Sequence, residues 1–258
     1  MEQIKIAFFD VDGTLVDMKK KKISPKTVEM LQGLRQRGIL ICIATGRTPV
    51  TVPQFEGVEF DAYLTFNGSL CYNGANVIFS SAIPAEDVQK LIRNAAAMGR
   101  PVSIATKDRV TANGYDDDLA EYYSFAGIPL EVTEDFDAVS RQEVYQVMLG
   151  CRQSDHPRLL QGVRGARITG WWDRAVDVIP ASCSKGRGIE KILEYYGFRR
   201  EEAIAFGDGN NDIEMLQAVG TGVAMENASP QLKTVADDVC GHVAEDGIYH
   251  YCLRHNLI

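Results

Sequence analysis

The chain opens on an almost continuous apolar run, "IKIAFF" at residues 4–9, that stops at two aspartates, Asp10 and Asp12. A run this short, without regular polar alternation, is the pattern of a strand buried on both faces. "ILICIA" at 39–44 repeats it and ends in Thr45-Gly46-Arg47; "DAYLTF" follows at 61–66, and "AIAFGD" at 203–208 ends in Asp208. Between the first two runs, Ser24-Pro25 supplies a cap and a first-turn proline. Val28, Leu31 and Leu34 then recur three residues apart, and Gly38 stops the helix. Strands buried on both faces and separated by helices build a parallel sheet covered by helices, so the expected class is α/β with a Rossmann-like parallel-sheet core.

The pattern changes pace along the chain. "SLCYNGANVIFS" reads as a hairpin around Asn73-Gly74. From residue 84 a helix ("PAEDVQKLIRNAAAMG") is followed by short strands ("VSIAT", "RVTAN", "EVYQVMLGC", "ARITGWW", "AVDVIP"), a helix over Asp116 to Phe125 and a short one over Pro157 to Gln161. Strand-helix alternation then resumes with a helix at Gly186 to Tyr196, the strand ending in Asp208, a helix in "DIEMLQAVG" stopped by Gly220, and the brief strand "GVAM". The simplest organisation is a core made of residues 1–83 and 182–258, with a smaller α/β domain, 84–181, inserted into it.

Composition narrows the partners. The 258 residues are 45% hydrophobic, enough for a substantial core, while the formal charge of −8 leaves no electrostatic footprint for nucleic acid. The one basic run, Lys19 to Lys22, reads as a solvated loop beside Asp17. No apolar stretch approaches eighteen residues and no targeting segment precedes the first strand, so the expectation is a cytoplasmic protein without membrane contact, as monomer or homodimer. Six scattered cysteines without a CxxC pair point to free thiols, and four histidines, three of them late in the chain, offer no His/Cys metal cluster.

Four signals sit at strand ends, the edge where open parallel sheets bind ligands. They are Asp10-Val11-Asp12-Gly13-Thr14, Thr45-Gly46-Arg47, Asp208-Gly209-Asn210-Asn211-Asp212, and Lys185-Gly186 opening a helix. Carboxylates at 10, 12, 208 and 212 brought together repel one another, and a shared hard cation is the natural compensation. Oxygen ligands without sulfur or imidazole point to Mg2+, which also bridges to phosphate. Lys185, the Thr45 hydroxyl and the amides near Gly46 would hold the remaining oxygens of an anion. Other readings fit less well. A calcium loop needs glycine at its sixth position whereas Gly13 is fourth from Asp10, the first strand carries no GxGxxG, and no Walker motif occurs.

With these motifs in order, the chain resembles the haloacid-dehalogenase-like superfamily, specifically the Cof-like phosphatases with an α/β cap of C2B type. The resemblance runs from "DVDGTL" through "ATGR", "FNG" at 66–68, "VIPASCSKGRGI" and "GDGNND" to "VAEDGI" at 243–248, with Val178-Ile179-Pro180 where the family has isoleucine-threonine-proline. It implies that Asp10 attacks phosphorus and becomes an aspartyl phosphate. Asp12 would protonate the leaving oxygen and later take a proton from water, its acidity weakened by neighbouring negative charge and partial burial. By the same resemblance Asp10, the Asp12 backbone carbonyl and Asp208 ligate the metal, Asn211 and Asp212 support it, and Thr45, Gly46 and Lys185 stabilise the transferring phosphoryl group. Asn67 and Gly68 lie near the site, and Arg47 orients a phosphate or a substrate hydroxyl, or is held by nearby acids.

The activity so implied is Mg2+-dependent hydrolysis of a small phosphorylated metabolite such as a sugar phosphate. The alternatives are a sugar phosphomutase of the same cap class and a non-catalytic phosphometabolite sensor; the presence of Asp10, Asp12 and Asp208 speaks against the last. In the cap, Asn113 and Tyr115 are candidate contacts, although a capped helix explains them as well. Trp171-Trp172, adjacent in an expected strand, would face opposite sides and suit packing better than a stacking platform.

Overall fold

The computed structural model describes residues 3–74, 76–169 and 172–258. Two compact units divide the chain: Met1–Arg47, Val52–Ser80 and Ser184–Ile258 form the larger, and Thr48–Thr51 with Ser81–Cys183 the smaller. Nothing in the sequence pattern marks Thr48–Thr51 as belonging with the later segment.

In the larger unit, β1 (Ile6–Phe9), α1 (Pro25–Gln36), β2 (Leu40–Ala44), β3 (Ala62–Thr65), β4 (Leu70–Asn73) and β5 (Asn76–Ser80) follow one another. Helix α1 starts where its sequence says it should: the Ser24 hydroxyl accepts from the Thr27 N–H at 3.0 Å and Pro25 takes the first position. Met30, Leu31 and Leu34 are fully buried along its inner face.

The smaller unit holds α2 (Ala85–Ala97), β6 (Ser103–Ala105), β7 (Val110–Ala112), α3 (Asp117–Ala126), α4 (Phe136–Val139), β8 (Gln146–Gly150), α5 (His156–Leu159), β9 (Ala166–Thr169) and β10 (Ala175–Pro180). Its strands form one antiparallel sheet in the order β7-β6-β8-β10-β9. Helix α2 lays Val88, Leu91 and Ala95 into a separate apolar core with Ile104, Val147, Leu149, Val176 and Val178. Asp116 caps α3 by accepting from the Leu119 N–H at 2.8 Å, while the Asn113 side chain accepts from the Val102 N–H at 2.8 Å. Asn113 thus ties the end of β7 to the start of β6, and Tyr115 is exposed. Trp171 lies outside the described residues. Trp172 falls beyond β9 rather than inside it, packing edge-on against Phe125 with the Arg174 guanidinium 4.3 Å from its ring centre.

The chain returns to the larger unit with α6 (Lys185–Tyr196), β11 (Ala203–Gly207), α7 (Ile213–Gln217), β12 (Thr221–Ala224), α8 (Pro230–Val235), β13 (Asp238–Val239) and α9 (Gly247–Arg254). The eight strands run β13-β12-β11-β1-β2-β3-β4-β5, parallel from β13 to β3 and antiparallel through β4 and β5. Strand β1 is central and buried on both faces, which is why its sequence is apolar without alternation. It lies between β2, next along the chain, and β11, which arrives almost two hundred residues later, with Phe9 level with Phe206. Strand order reverses here, and the crevice beyond the carboxyl ends of β1, β2 and β11 is the point where such sheets bind ligands.

All six cysteines are buried free thiols. No helix among the described residues is long and apolar enough to cross a membrane.

Candidate active site

The register of β1 and β11 decides where the acids fall. Phe9 and Phe206 sit side by side with their rings stacked at 5.3 Å; β1 ends there, and β11 ends one residue later at Gly207. Asp10 still donates its backbone N–H to Phe206 O at 3.0 Å, and Asp208 follows Gly207 on the neighbouring strand. Asp212 closes the turn after β11: its Oδ2 accepts from the N–H groups of Asp208 and Gly209, each at 2.9 Å. Carboxylate oxygens of Asp10, Asp208 and Asp212 thus lie within 4.8 Å of one another.

Lys185, the first residue of α6, enters this cluster fully buried. Its Nζ donates to Asp10 Oδ1 and to Asp212 Oδ1, each at 2.5 Å. Ser184 caps the helix by accepting from the Arg187 N–H at 3.2 Å, which fixes the turn from which Lys185 projects. The adjoining loop is fitted to that turn. Gly68, at φ +93°, passes so close that a Cβ there would stand 2.0 Å from Ser184 O. Phe66 and Asn67 also have positive φ, at 51° and 53°, so three successive residues occupy the left-handed region. For Phe and Asn this conformation is uncommon, and backbone strain of this kind gathers at functional sites.

Electrostatics follow from burial. Desolvation pushes the Asp10 carboxyl well above its ordinary range; the Lys185 ammonium opposes this, while Asp212, Asp208 and Asp12 add to it. Asp208 is pushed up to about 7, by burial first and then by Asp212, although Thr14 Oγ1 donates to its Oδ1 at 2.9 Å. Lys185 loses stability as a cation through burial but gains more from Asp10 and Asp212, so its affinity for the proton rises. Three acidic groups share a single ammonium, so the cluster resists full ionisation unless a second cation joins it. The donors are hard oxygens held by fixed backbone turns, without sulfur or imidazole, a set that suits Mg2+. Gly13 keeps the space beside Asp208 open: at φ +92°, a Cβ there would lie 2.2 Å from Asp208 Oδ2.

Asp12 is placed differently from the other acids. Both of its oxygens accept from Arg47, from Nε and from one terminal nitrogen, each at 2.7 Å. The acid expected among carboxylates therefore has a cation as its immediate neighbour, and Arg47 is held by that acid. Thr45 accepts the Arg47 N–H on its hydroxyl at 3.1 Å, leaving its own O–H free to donate. Asn211 donates from Nδ2 to Asn67 Oδ1 at 3.0 Å, tying the β11 turn to the left-handed loop. Asp10, Asp208, Asp212 and Lys185 thus form one buried cluster, with Asp12–Arg47 and Asn67–Asn211 as separate pairs.

Two residues complete this frame without having been singled out from sequence. Thr14, within the first motif, holds Asp208. Asn227 donates from Nδ2 to Gly13 O at 2.8 Å and accepts on Oδ1 from the Val243 N–H at 3.1 Å, joining the first motif to the segment before α9. A threonine two residues past an Asp-x-Asp pair is a readable signal; an asparagine between β12 and α8 is not.

Comparison with known proteins identifies the family. A profile of the haloacid dehalogenase-like hydrolases matches residues 7–252, and the chain belongs to that family. Within it the chain has Cof-like character and is a hydrolase built on an α/β core with an inserted cap. The Bacillus subtilis (strain 168) protein YkrA is 32% identical over 246 residues, 95% of each chain. An HMP-PP phosphatase of Yersinia pseudotuberculosis serotype O:1b (strain IP 31758) is 29% identical, over 98% of this chain and 95% of its own. The solved structure of BT4131, described as a subclass IIB sugar phosphatase of the same superfamily, superposes with a TM-score of 0.88 at 31% identity, covering 98% of this chain and all of its own.

Proposed function

We propose that the protein is a Mg2+-dependent phosphatase of small phosphorylated metabolites, a sugar phosphate or similar monoester, working through an aspartyl phosphate on Asp10. The observation that carries this reading is the Lys185 ammonium bridging Asp10 and Asp212 with Asp208 alongside, at the strand-order reversal of a parallel sheet. Asp10 Oδ attacks phosphorus, the bond to the leaving oxygen breaks, and Asp12 gives that oxygen a proton. Water then attacks the phosphoryl group, Asp12 takes its proton, phosphate departs and the Asp10 carboxylate is restored.

The two-point contact with Arg47 fixes the orientation of the Asp12 carboxyl group. Asp10, Asp208 and the Asp12 backbone carbonyl would hold the cation, with Asp212 and Asn211 supporting it; bound there, it offsets the mutual repulsion of the acids and polarises a phosphoryl oxygen. Lys185 and Thr45 Oγ1 donate to the transferring group, with Gly46, Asn67 and Gly68 shaping its pocket. The likeness to a subclass IIB sugar phosphatase supports both the sugar phosphate and a C2B assignment for the cap, whose five-stranded antiparallel sheet is inserted between β5 and α6.

The test is phosphate release from a panel of sugar, sugar-alcohol and heterocyclic phosphates, with Mg2+ or with chelator, beside Asp10→Asn. Turnover that needs Mg2+ and vanishes in the variant is expected, with the panel ranking the leaving groups. Turnover surviving in Asp10→Asn would remove the nucleophile from the scheme.

A further inference from the structure

The two edges of the eight-stranded sheet are built differently. Strand β13, at one end, has only two residues, and one of them is Asp238. Short length and charge are the usual devices that stop a sheet edge from pairing with another chain. Strand β5, at the other end, has neither. Its five residues, Asn76-Val77-Ile78-Phe79-Ser80, contain no charge and no proline. The neutrality extends well beyond the strand: no Asp, Glu, Lys or Arg occurs between Asp61 and Glu86, in a chain that is 24% charged. Two exposed apolar side chains stand beside this edge. Val77 is 66% exposed, and Tyr195, near the end of α6, which packs along β5, is 47% exposed with its hydroxyl 3.5 Å from Asn76 Nδ2.

From this contrast we infer that β5 is a self-association edge, pairing antiparallel with β5 of a second copy to continue the sheet across a two-fold axis. A second copy is the occupant the charge pattern favours. The chain carries a net charge of −8, so two copies repel one another over most of their surface, and contact costs least along a strand that brings no like charges together. Antiparallel pairing of a strand with itself satisfies the outward N–H and C=O groups of both copies at once, and the two-fold makes one patch serve both sides. Val77 and Tyr195 of each copy supply the apolar contact that backbone hydrogen bonds alone lack.

The experiment is sedimentation equilibrium of the full chain, without substrate, from about 1 to about 200 µM, a range that reads dissociation constants of the same order. The expected result is a weight-average mass rising to twice the 28.5 kDa of the chain. Val77→Lys places a cation on the edge of each copy, and the mass should stay at one chain throughout. Its phosphate release should match wild type, and so should its melting temperature at concentrations where wild type is monomeric, because Val77 is exposed and belongs to no part of the site. Leu253→Lys, an equally drastic change at another exposed apolar residue, on α9, should leave the dimer intact. Wild type monomeric at the highest concentration overturns the inference. So does a Val77→Lys protein that dimerises as wild type does, because the contact would then lie elsewhere.

Discussion

Replacing Lys185 by methionine tests the charge balance of the site directly. Methionine approximates the length of the lysine stem but brings no ammonium, so the substitution removes two charge-assisted hydrogen bonds of 2.5 Å without opening a large cavity. What remains is three acidic groups within 4.8 Å, all largely out of water, with no cation among them. Breaking a buried ion pair from one side costs about 3–5 kcal/mol, because the partner's charge stays behind uncompensated. For a chain of this length that corresponds to a melting temperature lower by about 10 °C, measured by calorimetry in chelator. The second arm adds Mg2+. The variant site lacks the one positive charge that competes with a bound cation, so Mg2+ raises its melting temperature by more than it raises that of wild type. Activity does not return with stability, since the donor to the phosphoryl group is gone; a loss of about 10²–10³ in kcat is expected. A melting temperature in chelator within 2 °C of wild type (about 1 kcal/mol), or a smaller Mg2+ response than wild type, would refute the claim that Lys185 offsets mutual repulsion of the acids.

Gly13→Ala should leave the secondary structure intact and weaken Mg2+ binding at least about tenfold, read by titration calorimetry, since the new methyl group must displace Asp208 by a backbone strained at φ +92°. Arg47→Lys keeps the charge but loses the fork on Asp12; a fall of about tenfold in kcat/KM is expected, and wild-type kinetics would show that the two-point contact has no role. In the smaller unit, burial pushes Asp177 up to about 6 even though Tyr122 Oη donates to it at 2.5 Å. Its folded value exceeds its unfolded one, so the folded chain binds the extra proton between about pH 4 and 6. Stability from this group therefore falls as pH rises through that window, by about 3 kcal/mol, and is flat above it. Asp177→Asn should abolish that slope in urea titrations and leave the variant at least as stable as wild type at pH 7.5; an unchanged slope would assign it to other groups.

The parts of the site legible in the sequence are those that a single strand end determines. Asp10, Thr45 and Asp208 each follow an apolar run, and a run buried on both faces puts the first polar residue after it at the sheet's carboxyl edge whatever else the chain does. Lys185 was readable for a related reason: with Gly186 it opens the helix that precedes the strand ending in Asp208. Where a side chain is shared between elements, the local pattern stops being informative. Arg47 could have faced phosphate or any of four acids, and only the fold decides that Asp12 accepts from it at two points. Asn227 secures Gly13 across 214 positions, and no periodicity in either segment signals that contact. The same distinction accounts for Asn113, whose residue type suited a ligand contact as well as a turn; the Val102 N–H beside it settles its use. It also explains why α7 is shorter than its apolar pattern suggests: helical geometry ends at Gln217, while Leu216 and Val219 remain buried in the core. Burial, which sequence pattern reports, persists past the point where the backbone hydrogen bonds that define the helix have stopped. Chemistry concentrated at strand ends can thus be read early, whereas the pairings that fix its geometry depend on which distant strand arrives alongside, as β11 does beside β1.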